Sequence, residues 1–165
     1  MGNKQKKAVF LDRDGVLNKE LGDYVCRLAD FSILTHNFEP LLELQCRGYL
    51  LIVITNQGGL AKGWYTDYVL NNMHNHLRKV YNDNGIHLTD IYYCNHHPDF
   101  NGKCLCRKPG SVMIEKALAR FNINAGASYF IGDRVRDIVA GEKAGVTGIL
   151  IDSNQSIAEI LDQIA

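Results

Sequence analysis

The chain has 165 residues, enough for one domain with its own core and too few for two of ordinary size. Lys plus Arg and Asp plus Glu both number 18, and the zero formal charge gives no electrostatic case for nucleic acid or an anionic membrane as a partner. Hydrophobic residues make up 46% and charged residues 22%, an ordinary globular balance, and no apolar run is long enough to span a bilayer.

A basic run, Lys4 to Lys7, reads as a solvated approach to a first strand, Ala8 to Leu11. That apolar run is too short for the core of a signal peptide, so a cytoplasmic setting is expected. The five cysteines should then be reduced or metal-bound. After a looser stretch to about His36, Asn37 is expected to cap a helix carrying Phe38, Leu41, Leu42 and Leu44, which Gly48 ends. Tyr49 to Ile54 reads as a central parallel strand. A Gly-rich loop leads to a long helix that starts at Thr66 or Asp67 and stops at Asn84-Gly85, with Val69, Leu70, Met73, Leu77, Val80 and Tyr81 at helical spacing. Its His74 and His76 read as surface residues. Asp90 to Tyr93 is a short strand, and 94–110 an irregular loop dense in Cys, His, Gly and Pro. Ser111 should cap the next helix. Tyr129 to Ile131 and Gly148 to Ile151 are two further buried strands with a helix between them, and an amphipathic helix with Ile157, Ile160, Leu161 and Ile164 closes the chain. The alternation predicts an α/β fold, a doubly wound parallel sheet in a single domain spanning 1–165 without a separate cap domain.

The polar residues that follow the strands carry the chemistry, because ligands of such sheets sit at the carboxyl ends of the strands. Asp12 and Asp14 end the first, Thr55, Asn56 and Gln57 the second, and Asp133 a later one. Carboxylates this close repel unless a cation sits between them, and hard oxygen ligands suit Mg²⁺. Asp12 can attack phosphorus and ligate Mg²⁺. Asp14 can serve as acid and then as base. Thr55 can bond a phosphoryl oxygen, and Lys108 can neutralise charge on the transferring group. Asp12, Asp14 and Asp133 are the expected Mg²⁺ set, with Asp137 in support. Arg107, Lys108 and Arg134 are candidates for gripping substrate phosphates.

The chain resembles the haloacid dehalogenase (HAD) superfamily of phosphatases over nearly its whole length. Asp12-Arg13-Asp14-Gly15-Val16 matches the first motif, Thr55 the second, Lys108 the third, and Gly132-Asp133 with Asp137 the fourth. Within the superfamily it is most similar to the D-glycero-D-manno-heptose 1,7-bisphosphate phosphatases, with the histidinol-phosphate phosphatases nearly as similar. Thr55-Asn56-Gln57 and Cys106-Arg107-Lys108-Pro109 are shared with both groups, and Asn56 and Gln57 join the candidate substrate contacts. Gly58 to Thr66, Tyr92-Tyr93-Cys94 and His96-His97-Pro98 look more like the heptose group. Asn95 stands where the family usually has Pro, Lys62 where the heptose enzymes commonly have Arg, and the loop between His96 and Cys104 is short for that group.

Cys94, Cys104 and Cys106 lie in one short loop with two imidazoles, His96 and His97. Three thiolates and one imidazole make a closed tetrahedral set, the mark of structural Zn²⁺. The Cys-x-His spacing of the resemblance selects His96 as the fourth ligand, and the clip would place Arg107 and Lys108 in the site. Cys26 and Cys46 read as small apolar residues.

The reading is a Mg²⁺-dependent phosphatase with a structural zinc, acting on a small phosphorylated sugar through an aspartyl-phosphate. Neither nucleic acid nor a membrane is expected as a partner. The resemblance implies hydrolysis of the 7-phosphate of heptose 1,7-bisphosphate, on the way to a lipopolysaccharide core or related glycan. Histidinol phosphate is the enzyme alternative. A phospho-accepting signalling domain and a zinc-stabilised binding module are the non-enzyme alternatives. Nothing in the sequence sets an oligomeric state, and a monomer is compatible with it.

Overall fold

The computed structural model describes residues 5–165. Lys4, which opens the basic run, lies outside them. Five parallel strands form one sheet: β1 (Lys7–Leu11), β2 (Tyr49–Asn56), β3 (Leu88–Cys94), β4 (Tyr129–Gly132) and β5 (Thr147–Leu150). Their order is β3-β2-β1-β4-β5. Leu11 pairs with Val53 on one side of β1 and with Ile131 on the other.

Alternation along β1 divides the core. Val9 and Leu11 pack with α1 (Phe38–Cys46), α2 (Asp67–Asp83) and a C-terminal 3₁₀ helix (Ile157–Gln163). Ala8 and Phe10 face α4 (Val112–Phe121) and α5 (Val135–Lys143). Residues 8–11 are fully buried, which is why the segment reads as a continuous apolar run. Each fully buried Leu or Phe contributes about 1.5–3 kcal/mol. The chain moves outward from β1 through β2 to β3, then returns to β4 beside β1. That reversal opens a crevice at the carboxyl ends of β1 and β4.

Several local expectations change. Asn37 does not cap α1. Fully buried, it donates from Nδ2 to the Val16 carbonyl and accepts the Ile157 N–H at Oδ1, both at 2.8 Å, so it ties together segments far apart in sequence. Ser111 caps nothing with its side chain, and its hydroxyl donates to Glu115 instead. Thr66 does cap α2, accepting the Val69 N–H. The 94–110 loop contains a short helical turn, α3 (Pro98–Asn101). β5 is an edge strand with Leu150 exposed, not a buried one. The closing helix is 3₁₀, and Cys46 is exposed rather than packed. Among the described residues, no helix is long and apolar enough to cross a membrane.

Candidate active site

Asp12, the first residue after β1, continues the ladder by donating its N–H to the Ile131 carbonyl at 3.0 Å. Its Oδ1 accepts the Arg13 N–H at 2.7 Å and lies 2.8 Å from Lys108 Nζ. No hydrogen bond reaches Asp12 Oδ2 among the described residues, which leaves one carboxylate oxygen for chemistry. Lys108 Nζ also lies 2.7 Å from Asp137 Oδ1, a charge contact off hydrogen-bond geometry, and donates to the Ile54 carbonyl at 2.9 Å.

Asp12, Asp133 and Asp137 bring carboxylate oxygens within 4.8 Å of one another. The buried counter-charge beside these carboxylates is the Lys108 ammonium, next to Asp12 and Asp137, while the more exposed Arg134 places Nε 3.5 Å from Asp133 Oδ2. Burial, with Asp137 and Asp14 nearby, pushes the Asp12 pKa up to about 7 although Lys108 opposes the shift. Burial also works against the charge of Lys108, but Asp12 and Asp137 outweigh it and hold its pKa above the usual lysine value. A close set of carboxylate oxygens that outnumbers its neighbouring cations fits a divalent hard cation such as Mg²⁺. Backbone geometry supports the cluster. Gly15 has φ +83°, and a Cβ there would come within 2.4 Å of Asp133 Oδ2. At Gly132 a Cβ would meet the Asp137 Cβ at 2.3 Å.

The carboxylate of Asp14 stands outside this cluster. Arg13 reaches both of its oxygens, at 2.9 and 3.1 Å, while Asn18 donates to Oδ1 and Gln57 to Oδ2. Burial alone would raise its pKa, but Arg13, Asn18 and Gln57 bring it below the usual carboxylate range. The convergent carboxylates are therefore Asp12, Asp133 and Asp137, not Asp12, Asp14 and Asp133. The guanidinium of Arg13 is buried and also contacts His74 Nε2 at 3.2 Å. His74 is thus a buried residue on α2, contrary to the surface position expected of it.

A cavity of about 290 Å³ opens over the strand ends, lined by Asp12, Asp14, Thr55, Asn56 and Asp133. Arg107, Arg134 and Arg136 also line it, as do Glu20 and Asp23. Arg136, Glu20 and Asp23 were not singled out from sequence. Arg136 had a signal, since it sits in the same Gly-Asp-Arg-Val-Arg-Asp run as Arg134. Both polar groups of Asn56 engage the main chain of Lys108. Gln57 is 1% exposed and lies behind Asp14 and Thr55, away from the cavity. Lys62 stacks over Trp64 and Tyr24 instead of entering the cavity.

The cysteine-rich loop gathers Cys94, His96, Cys104 and Cys106 with ligand atoms within 4.8 Å of one another. Sulfur–sulfur separations run from 3.0 to 3.6 Å, and His96 Nδ1 lies 3.2 and 3.5 Å from two sulfurs. The edges of a zinc tetrahedron with bonds of about 2.0–2.3 Å are about 3.5–3.8 Å, so the donors fit the ion with small adjustments. His97 takes no part and accepts the Asp99 N–H. Arg107 Nη1 donates to the His96 carbonyl at 3.1 Å, linking this cluster to the cavity.

A family model described as HAD-hydrolase-like matches residues 105–165. The chain is 40% identical over 158 residues to the D-glycero-beta-D-manno-heptose-1,7-bisphosphate 7-phosphatase of Haemophilus ducreyi, covering 92% of this chain and 86% of that relative. It is 36% identical over 151 residues to a Photorhabdus laumondii protein named as the corresponding alpha-heptose enzyme, covering 88% and 82%. Among solved structures it is similar to the D,D-heptose 1,7-bisphosphate phosphatase from B. bronchiseptica complexed with magnesium and phosphate. There the TM-score is 0.85 and the identity 26%, over 98% of this chain and 100% of that one. These relatives set aside the signalling-domain and binding-module readings. Identity of this level over nearly full length means that the chain belongs to the heptose-1,7-bisphosphate 7-phosphatase family of HAD-type phosphoric monoester hydrolases.

Proposed function

We propose that this protein removes the 7-phosphate of D-glycero-D-manno-heptose 1,7-bisphosphate through a phosphoryl group carried on Asp12. The observation that carries the reading is the trio Asp12, Asp133 and Asp137, two of them paired with Lys108, at the base of the crevice. Asp12 attacks phosphorus through its unbonded Oδ2. Lys108 offsets charge on nucleophile and phosphoryl group, and the Thr55 hydroxyl holds a phosphoryl oxygen. Asp14 is anionic at rest, and the arriving phosphate dianion raises its proton affinity. Asp14 therefore takes up a proton from solvent as the substrate binds, hands it to the departing sugar oxygen, then takes one from the water that attacks the phosphoryl group.

Asp12, Asp133 and Asp137 would hold Mg²⁺, which when bound supplies positive charge to the transferring group. Cys94, His96, Cys104 and Cys106 would hold a structural Zn²⁺, in a cytoplasmic setting that keeps thiols reduced. Arg107, Arg134 and Arg136 suit the second phosphate of a bisphosphate, while Glu20 and Asp23 can accept hydrogen bonds from sugar hydroxyls.

A panel of both heptose bisphosphate anomers and histidinol phosphate tests the substrate. One heptose anomer should give the highest kcat/KM. A higher value for histidinol phosphate would contradict the heptose assignment and leave the hydrolase intact.

A further inference from the structure

We propose that Tyr65 and Gln57 form a positioning pair that fixes the acid–base residue Asp14 and frees the hydroxyl proton of Thr55. The proposal rests on the roles given above to Asp14 and Thr55. The Tyr65 hydroxyl donates to Gln57 Oε1 at 2.6 Å. Gln57 Nε2 in turn donates to Asp14 Oδ2 at 3.0 Å and to Thr55 Oγ1 at 2.8 Å. Neither Tyr65 nor Gln57 lines the cavity, so neither touches substrate.

An amide group is nearly symmetric in shape and can sit in two orientations. Turned the wrong way, the oxygen of Gln57 would face the carboxylate of Asp14. The donor on Tyr65 selects the other orientation by engaging that oxygen. The amide then has one N–H for Asp14 and one for Thr55. Because Thr55 Oγ1 accepts in this contact, its own O–H remains available to a phosphoryl oxygen. Asn18 and Arg13 hold Asp14 Oδ1, and Arg13 also reaches Oδ2 at 3.1 Å. The bond from Gln57 therefore completes the restraint on its carboxylate.

The pair is built into a close-packed slot. Tyr65 is 6% exposed and Gln57 1%. A Cβ at Gly59 would lie 2.3 Å from Tyr65 Cε1 and 2.8 Å from Cζ, so only glycine lets the ring reach Gln57. Tyr65 belongs to the Gly58–Thr66 run, which no catalytic motif accounts for.

The test compares wild type with Tyr65→Phe, which keeps the ring and removes the donor. Two substrates are used, a heptose bisphosphate and p-nitrophenyl phosphate. The sugar oxygen is a poor leaving group and needs its proton, whereas the nitrophenolate leaves largely unaided. Tyr65→Phe should lower kcat/KM on the sugar ester roughly threefold to tenfold, with a smaller loss on the aryl ester. Gln57→Met should show the same bias with a larger loss on the sugar ester. Equal losses on both esters would overturn the claim that the pair acts through Asp14, and no loss on either would overturn the whole proposal. Wild-type protein inert toward both esters would overturn the underlying roles, a result separate from any difference between variants.

Discussion

Asn56 grips the peptide of Lys108 from both sides. Its Nδ2 donates to the Lys108 carbonyl at 3.1 Å, and its Oδ1 accepts the Lys108 N–H at 2.9 Å. The end of β2 thereby sets the aim of a lysine that belongs to a distant loop, and the Ile54 carbonyl completes the hold on Nζ. Asn56→Ala leaves two buried peptide groups unpaired, each costing about 1–3 kcal/mol. The variant should have a lower melting temperature and at least a tenfold lower kcat, about the loss expected when a charge-stabilising group moves. Unchanged kcat in a folded variant would show that Lys108 finds its place without this clamp.

Protein purified without added zinc should contain about one zinc per chain, the stoichiometry of a four-ligand site. Burial, followed by the hydrogen bond it shares with Cys106, pushes the Cys94 thiol pKa up, and burial raises Cys106 as well. Zinc added to stripped protein should therefore release protons as thiols become thiolates. Cys104→Ser should reduce kcat through Arg107, which is tied to the His96 carbonyl. Metal analysis without zinc, together with full activity after chelation and Mg²⁺ repletion, would refute the clip.

His74 makes stability depend on acid. Burial, then the charge of Arg13, lowers its pKa from 6.5 to about 3, so the native ring is neutral. The unfolded ring takes up its proton near 6.5, and this contribution to stability is complete above that pH. It is lost as pH falls from about 6.5 toward 3, by at most about 1.4 kcal/mol per pH unit. Urea denaturation of wild type and His74→Gln between neutral and mildly acidic pH reads the effect. Wild type should lose stability more steeply than the variant, and parallel curves would contradict the assignment.

Gly15→Ala should disturb the carboxylate cluster without replacing any charged group. At φ +83° its Cβ would sit 2.4 Å from Asp133 Oδ2. The variant should need more Mg²⁺ for half-maximal activity and lose roughly tenfold or more in kcat/KM. A Mg²⁺ titration superimposable on wild type would show that Asp133 is not part of the metal site.

The sequence made legible those groups that directly follow an apolar strand. Asp12, Thr55 and Asp133 each stand where an apolar run has just stopped, and the fold carries them to one crevice. What holds them was harder to read. Asn37 looks like a cap because it precedes a helix, yet its partners are Val16 and Ile157. His74 had a usable signal, since Leu70, Met73, His74, Leu77 and Tyr81 share one buried helical face. The pairing of Asp14 with Arg13 and Gln57 had none, because a carboxylate beside another invites a metal reading until its donors are seen.

Phosphate release by Asp12→Asn tests the central claim most directly. The amide is close in size to the carboxylate and cannot attack phosphorus, so the variant should fold and bind metal at Asp133 and Asp137. It should release no phosphate above background from heptose bisphosphate or an aryl phosphate. Substantial turnover by the purified variant would contradict Asp12 as the residue that carries the phosphoryl group.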